Sequence, residues 1–260
     1  MHKVLWTVLA CLALPLNAPA LSPEERGLEI AKEMDARDSG WGDSKANMVM
    51  ILRNKHGQES KRKIRIRSLE VQGDGDKSMS LFDSPRDVKG TAFLSFTHAL
   101  KPDDQWLYLP ALKRVKRISS ANKSGKFMGS EFAYEDLTSQ EVAKYRYKYL
   151  RDEIADGRNT MVVERYPQYE HSGYKRQVVW VDVTMWQPLK LVFYDRKNAL
   201  LKTLVLAEYR QFLDKYWRPL LMSMVNHQTG KSTDLTWSDY QFATGLTNRH
   251  FDRSALKRAR

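Results

Sequence analysis

From Asn47 to Phe242 apolar side chains recur at every second position along most of the chain, and a period of two selects strand over helix. Met48, Met50 and Leu52 alternate with Val49, Ile51 and Arg53, and Ile64 and Ile66 alternate with Lys63, Arg65 and Arg67. Met79 and Leu81 alternate with Ser78 and Ser80, and Leu94 and Phe96 with Phe93 and Ser95. Further strands are predicted over residues 161–165, 176–183, 189–194, 200–210, 220–226 and 233–242. Turn residues separate them at His56-Gly57, Gly73-Asp74-Gly75-Asp76, Asp195-Arg196-Lys197-Asn198 and Thr229-Gly230. Because no Pro/Gly/Ser linker divides the chain, residues 21–260 are expected to form one domain. The predicted class is mainly β (α+β): a curved antiparallel sheet of about 11 strands forming an unclosed barrel, covered by an N-terminal helix and a loop or short helix.

The helix is written at Ser22-Pro23-Glu24-Glu25. Ser22 caps, Pro23 suits the first helical position, and Glu25 completes a capping box while opposing the helix dipole. An apolar stripe of Leu28, Ala31 and Met34, with Ile30 beside it, ends near Arg37-Asp38-Ser39-Gly40.

The stretch QWLYLPALKRVKRI, residues 105–118, reads as one or two strands broken at Pro110. Its second half carries Lys113 and Arg117 on one parity and Arg114 and Lys116 on the other, so neither face is dry core. It belongs at an edge or rim. Residues 124–137, SGKFMGSEFAYEDL, follow as a long Gly- and Ser-punctuated loop, with a short helix expected from Thr138 to Ala143.

A short positive start at Lys3, an apolar run over residues 4–16 and the small-x-small triplet Ala18-Pro19-Ala20 predict a cleaved signal peptide over residues 1–20. The single cysteine, Cys11, lies inside it, so no disulfide is expected in the exported domain. A periplasmic location changes the meaning of the net charge of +12. Nucleic acid is not the expected partner there; anionic headgroups and acidic protein surfaces are.

No Gly-rich phosphate loop, G-x-S-x-G elbow or H-E-x-x-H pair occurs, and His56, His98, His171, His227 and His250 are scattered singly. Asp103-Asp104 and Asp152-Glu153 sit beside turns or on polar faces. An enzyme is therefore not the expected reading, and no catalytic residue, metal or cofactor is assigned.

The apolar parity carries the functional signal. Met48, Met50, Leu52, Ile64, Ile66, Met79, Leu81, Leu94, Phe96, Leu191, Phe193, Met222, Met224, Leu235 and Trp237 are the candidate lining of a cavity on the concave face. Methionine is flexible and re-packs around varied apolar shapes. Lys113, Arg114, Lys116 and Arg117 are the candidate rim for an anionic headgroup or acidic partner, against the plainer reading of a solvated edge.

The runs WLYLPALKRVKRI, KFMGSEFAYEDL and PLKLVFYD, with W-x-P-x-x-M-x-M and NHQTGKST after them, resemble the outer-membrane lipoprotein-sorting protein family, periplasmic relatives of the LolA-like lipoprotein carriers. The resemblance implies an unclosed barrel with a hydrophobic cavity for acyl chains, and a lipid or acylated lipoprotein as partner. It also implies association with an inner-membrane transporter of the resistance-nodulation-division type. No arginine here matches the carrier's lid-latching arginine. The leading expectation is a periplasmic carrier that makes peripheral contact with anionic membrane. The alternatives are an accessory or sensor module for a transporter or envelope signalling protein, and, less favoured, an envelope hydrolase.

Overall fold

The computed structural model describes residues 20–258. The predicted leader lies, but for Ala20, outside the described residues. Helix α1 (Pro23–Asp38) has the predicted capping box: the Glu25 amide donates to the Ser22 hydroxyl, and the Ser22 amide donates to the Glu25 carboxylate at 2.8 Å. Its buried stripe is rotated from the predicted one. Gly27 and Ile30 are buried and Met34 packs against the core, whereas Leu28 is exposed. Gly27 is the cause, because a Cβ there would stand 2.8 Å from the Tyr149 amide nitrogen, and only glycine lets the helix approach so closely.

Thirteen strands follow: β1 (Asp43–Arg53), β2 (Glu59–Leu69), β3 (Lys77–Ser84), β4 (Ala92–Phe96), β5 (Asp104–Leu109), β6 (Arg114–Ile118), β7 (Tyr145–Ala155), β8 (Arg158–Pro167), β9 (Tyr174–Asp182), β10 (Pro188–Asp195), β11 (Leu200–Phe212), β12 (Tyr216–Asn226) and β13 (Ser232–Phe242). They make one antiparallel sheet in the order β6-β5-β4-β3-β2-β1-β13-β12-β11-β10-β9-β8-β7. Every strand pairs with its sequence neighbours except β6 and β7, and the first and last strands, β1 and β13, pair at the centre. β6 and β7 are the two edges, so the barrel stays open.

Irregularities bend the strands. The register shifts between Lys45 and Asn47, between Lys63 and Ile64 and between Tyr149 and Arg151, while Glu208 and Asp239 take positive φ inside β11 and β13. Each extra or left-handed residue adds local twist, which curls a wide sheet towards a barrel.

Two apolar layers result. The concave layer gathers Met48, Met50, Ile64, Phe82, Phe93, Val179, Leu191, Phe193, Met224 and Leu235 with Ile30 of α1. On the convex side, helix α2 (Arg253–Arg258) and the segment before it set Leu246, Phe251 and Leu256 over Met79, Leu81, Ala92 and Leu94. β4 is therefore buried on both faces.

Candidate functional site

The cross-strand register assembles the concave face. Met48 lies opposite Ile64 and Trp237, Met50 opposite Leu235, and Leu235 opposite Met222. Met224 stands opposite Leu204, and Leu204 opposite Leu191. Leu52, Ile66 and Phe193 join the same cluster. Met79, Leu81, Leu94 and Phe96 do not: they lie on the convex side beneath α2, and Ser80 and Phe93 hold the concave positions of β3 and β4. Alternation marks these four as buried, but it cannot say which face of a doubly covered strand is the hollow one.

The concave face is filled by the chain itself. Because β6 and β7 are opposite edges, residues 119–144 must cross the sheet, and they do so over its concave side. The predicted long loop is thus an ordered strap, built of 3-10 turns that include Phe127–Gly129, Tyr134–Leu137 and Val142–Lys144. The Phe127 ring sits 5.1 Å from Phe93, 5.6 Å from Tyr134 and 5.9 Å from Phe82. Phe127 and Phe132 are buried among the sheet's apolar residues.

Polar staples hold the strap down. Lys202 of β11 donates to the Asp136 carboxylate at 2.6 Å and to the Glu131 carbonyl at 3.0 Å. The Glu131 carboxylate accepts from Asn226 at 2.7 Å and from Lys126 at 2.6 Å, while its amide donates to Thr233 at 3.0 Å. Tyr174 donates to Asp136 at 2.8 Å. Burial and the neighbouring Asp136 charge push the Glu135 carboxyl up, against the Gly173 amide and the Ser172 and Tyr169 hydroxyls that donate to it. At the β2 side, Arg62 donates to the Met128 carbonyl, and its Nε is buried with no partner among the described residues. None of these staples was singled out from sequence. The available signal was Lys202, a cation on the apolar parity of Leu204 and Leu206, facing acids set among aromatics in EFAYEDL.

The predicted rim residues fall together at one edge. Lys113 ends the turn Pro110–Leu112 with φ 48°, and Arg114, Lys116 and Arg117 are exposed on β6. Arg117 pairs with Asp104. A hollow of about 260 Å³ opens beside them, lined by Pro102, Asp103, Arg117, Ile118, Ser119 and Ser120. A second, of about 540 Å³, lies where α1 meets the β7–β8 turn; Arg26, Asp152 and Ile154 rim it and Met161 of the concave cluster forms part of its wall.

This geometry is shared with solved structures. An outer membrane lipoprotein-sorting protein domain from Vibrio parahaemolyticus is 60% identical, with a TM-score of 0.89 over 90% of this chain and 99% of that one. The chain belongs to the outer-membrane lipoprotein-sorting protein family. A DUF1329 family protein from Desulfovibrio piger is 30% identical, with a TM-score of 0.86 over 91% of this chain and all of that one. A LolA superfamily protein from Nitrosomonas europaea, 20% identical with a TM-score of 0.70 over 91% of this chain and all of its own, shares the fold. The family model that matches residues 74–258 is described as that of an uncharacterized protein. Comparison with curated proteins gives no match. The lipoprotein-sorting family and its LolA-like fold support a carrier role in general terms.

Proposed function

We propose that this protein is a periplasmic carrier that shelters the acyl chains of a lipid or lipoprotein on the concave face of its sheet. The observation that carries the reading is the continuous apolar concave layer, with Met48, Met50, Met222 and Met224 across its centre. In the closed form the strap and α1 cover that layer, so a chain enters by displacing a cover. α1 is the lighter of the two: it buries Gly27 and Ile30, whereas the strap is stapled by Lys202, Asn226 and Arg62. Burying one large aliphatic side chain is worth about 1.5–3 kcal/mol, which a bound acyl chain offsets with a few of its own methylenes.

A fluorescent fatty-acid probe is expected to bind saturably and to bind more tightly after deletion of residues 21–38. Folded protein with no saturable binding in either form rules the carrier reading out. The filled concave face favours a second reading, an accessory or sensor module for a resistance-nodulation-division-type transporter or an envelope signalling protein. Lipid extracted from protein isolated under native conditions separates the two, since only the carrier brings lipid with it.

A further inference from the structure

The fold brings two cationic segments, far apart in sequence, to one edge of the sheet. Helix α2 packs over β4 and β5, next to the edge strand β6, whose Val115 joins the same convex cluster as Phe251 and Leu256, so residues 249–258 lie on the sheet's convex side near residues 113–117. Lys113, Arg114, Lys116 and Arg117 on the edge hairpin and Arg249, Arg253, Lys257 and Arg258 beside it are all exposed; Arg117 shares the convex parity of Val115, while Arg114 and Lys116 project from the other side of β6. Among the described residues only Arg117, with Asp104, and Arg258, with Asp252, have a carboxylate within 4 Å. The rest of this charge is unneutralised.

Two further features say what would neutralise it. Leu112, 53% exposed, stands at the tip of the turn that leads into Lys113, an apolar side chain flanked by cations. Phe96 and Trp106, half-buried and edge to face at 5.1 Å, lie in the convex cluster further along the hairpin, with Trp106 opposite Arg117, where an aromatic belt would meet an interface. The 260 Å³ hollow opens on the same edge and offers the Arg117 guanidinium and the Ser119 and Ser120 hydroxyls. Its one acid, Asp103, is only 7% exposed at its side chain and is held by Lys144 at 2.5 Å. An acidic protein would be held by the cations alone, whereas a bilayer of anionic phospholipid uses the cations, the apolar tip and the donor-lined hollow together.

We infer that the β6 edge and α2 together form a docking surface for an anionic phospholipid bilayer. Arg114 and Lys116 project on the concave side of β6, but the surface uses none of the apolar cluster there, so it stands whether or not that face takes an acyl chain. Docked by this edge, the protein meets the bilayer with both α2 and the strap's first residues close to the headgroups.

The test is sedimentation of the protein with vesicles of phosphatidylglycerol and phosphatidylcholine at low salt, against pure phosphatidylcholine vesicles. Wild type is expected to bind only the anionic vesicles and to be released by salt. Each cation near the surface contributes about fivefold to partitioning, so Arg114→Gln with Lys116→Gln, and separately Arg253→Gln with Lys257→Gln, each lower it about 25-fold. Lys197→Gln with Lys231→Gln, exposed cations on the β10–β11 and β12–β13 turns, makes the same change in net charge and is expected to leave binding within threefold. Leu112→Ser weakens binding with no change in charge. Thermal melts show which variants stay folded. Equal loss in the remote pair, no binding by wild type, or unchanged binding by Leu112→Ser together with equal affinity for polyglutamate each overturns the inference.

Discussion

Lys202 and Asp136 meet across the concave face at 2.6 Å, with side chains 4% and 7% exposed, and join β11 to the strap that covers it. The Lys202 ammonium also lies 5.0 Å from the Phe193 ring and 5.1 Å from the Tyr174 ring, so its surroundings are aromatic apart from Asp136 and the Glu131 carbonyl. Removing one partner of such a pair leaves the other charge buried, which costs about 3–5 kcal/mol. Lys202→Met is therefore expected to lower stability by that amount in urea unfolding. Adding Asp136→Leu recovers only part of the loss, because the Ala133 amide and Tyr174 hydroxyl lose the acceptor that Asp136 gives them.

Gly27 sets how closely α1 docks. Alanine normally favours a helix over glycine by about 1 kcal/mol. Here its methyl would stand 2.8–2.9 Å from backbone atoms of Lys148 and Tyr149, which cannot yield as a side chain can. Overpacking of this kind costs about 1–3 kcal/mol, so Gly27→Ala is expected to lift α1 from β7. The readouts are increased binding of a hydrophobic dye and faster proteolysis within residues 21–38, with the sheet's far-ultraviolet signal unchanged.

The period-two pattern carried most of the fold, and its failures have physical causes. The quoted basic stretch is a hairpin, with Gln105 opposite Ile118, and its charged half is an edge strand as the two-sided charge requires. The pattern does not mark β7 although Tyr145, Tyr147 and Tyr149 alternate with Arg146 and Lys148, because tyrosines among cations resemble a solvated segment; their burial depends on α1 and the strap. The strap's own burial has no local signature. Phe127 and Phe132 are five residues apart in irregular backbone, and they are buried only because opposite sheet edges must be joined across the concave side. Eleven of the fifteen candidate cavity residues share one cluster, and the other four are covered by a helix of six residues, too short to show a period.

Asp76 makes stability depend on pH. Its amide donates to Ser139 at the strap's far end, and its carboxyl is pushed up to about 7 by burial, with the charges of Glu141, Glu70 and Asp38 adding to the effect. An unfolded aspartate titrates near 4, so between about pH 4 and 7 the folded chain holds a proton that the unfolded chain has lost. Stability from this group is complete below pH 4 and is lost as pH rises to 7, by at most about 1.4 kcal/mol per pH unit. Asp74, drawn down to about 2 chiefly by its hydrogen bond with His98, acts only below this window. Asp76→Asn is expected to flatten the slope of the urea midpoint between pH 5 and 7, and to leave the slope below pH 4 as it was.

The division of the apolar residues between two faces gives the carrier reading its sharpest test, because tryptophans mark both faces. Trp237 packs with the concave cluster, Trp106 with the convex cluster under α2, and Trp180 with a third cluster on the outer side of β8–β10. A brominated fatty acid quenches indole fluorescence only at contact, so a chain on the concave face reaches Trp237 and not the other two. Trp186 also borders the concave cluster, with Arg37 of α1 over its ring at 5.0 Å, and is expected to retain part of the quenching. Trp237→Phe should therefore reduce the quenched fraction, while Trp106→Phe and Trp180→Phe raise it by removing unquenched background. Phe96→Asp, on the convex side, leaves the titration midpoint unchanged as long as the protein stays folded. Quenching that disappears with Trp106→Phe and survives Trp237→Phe would place the chain beneath α2 and remove the concave face from the carrier reading.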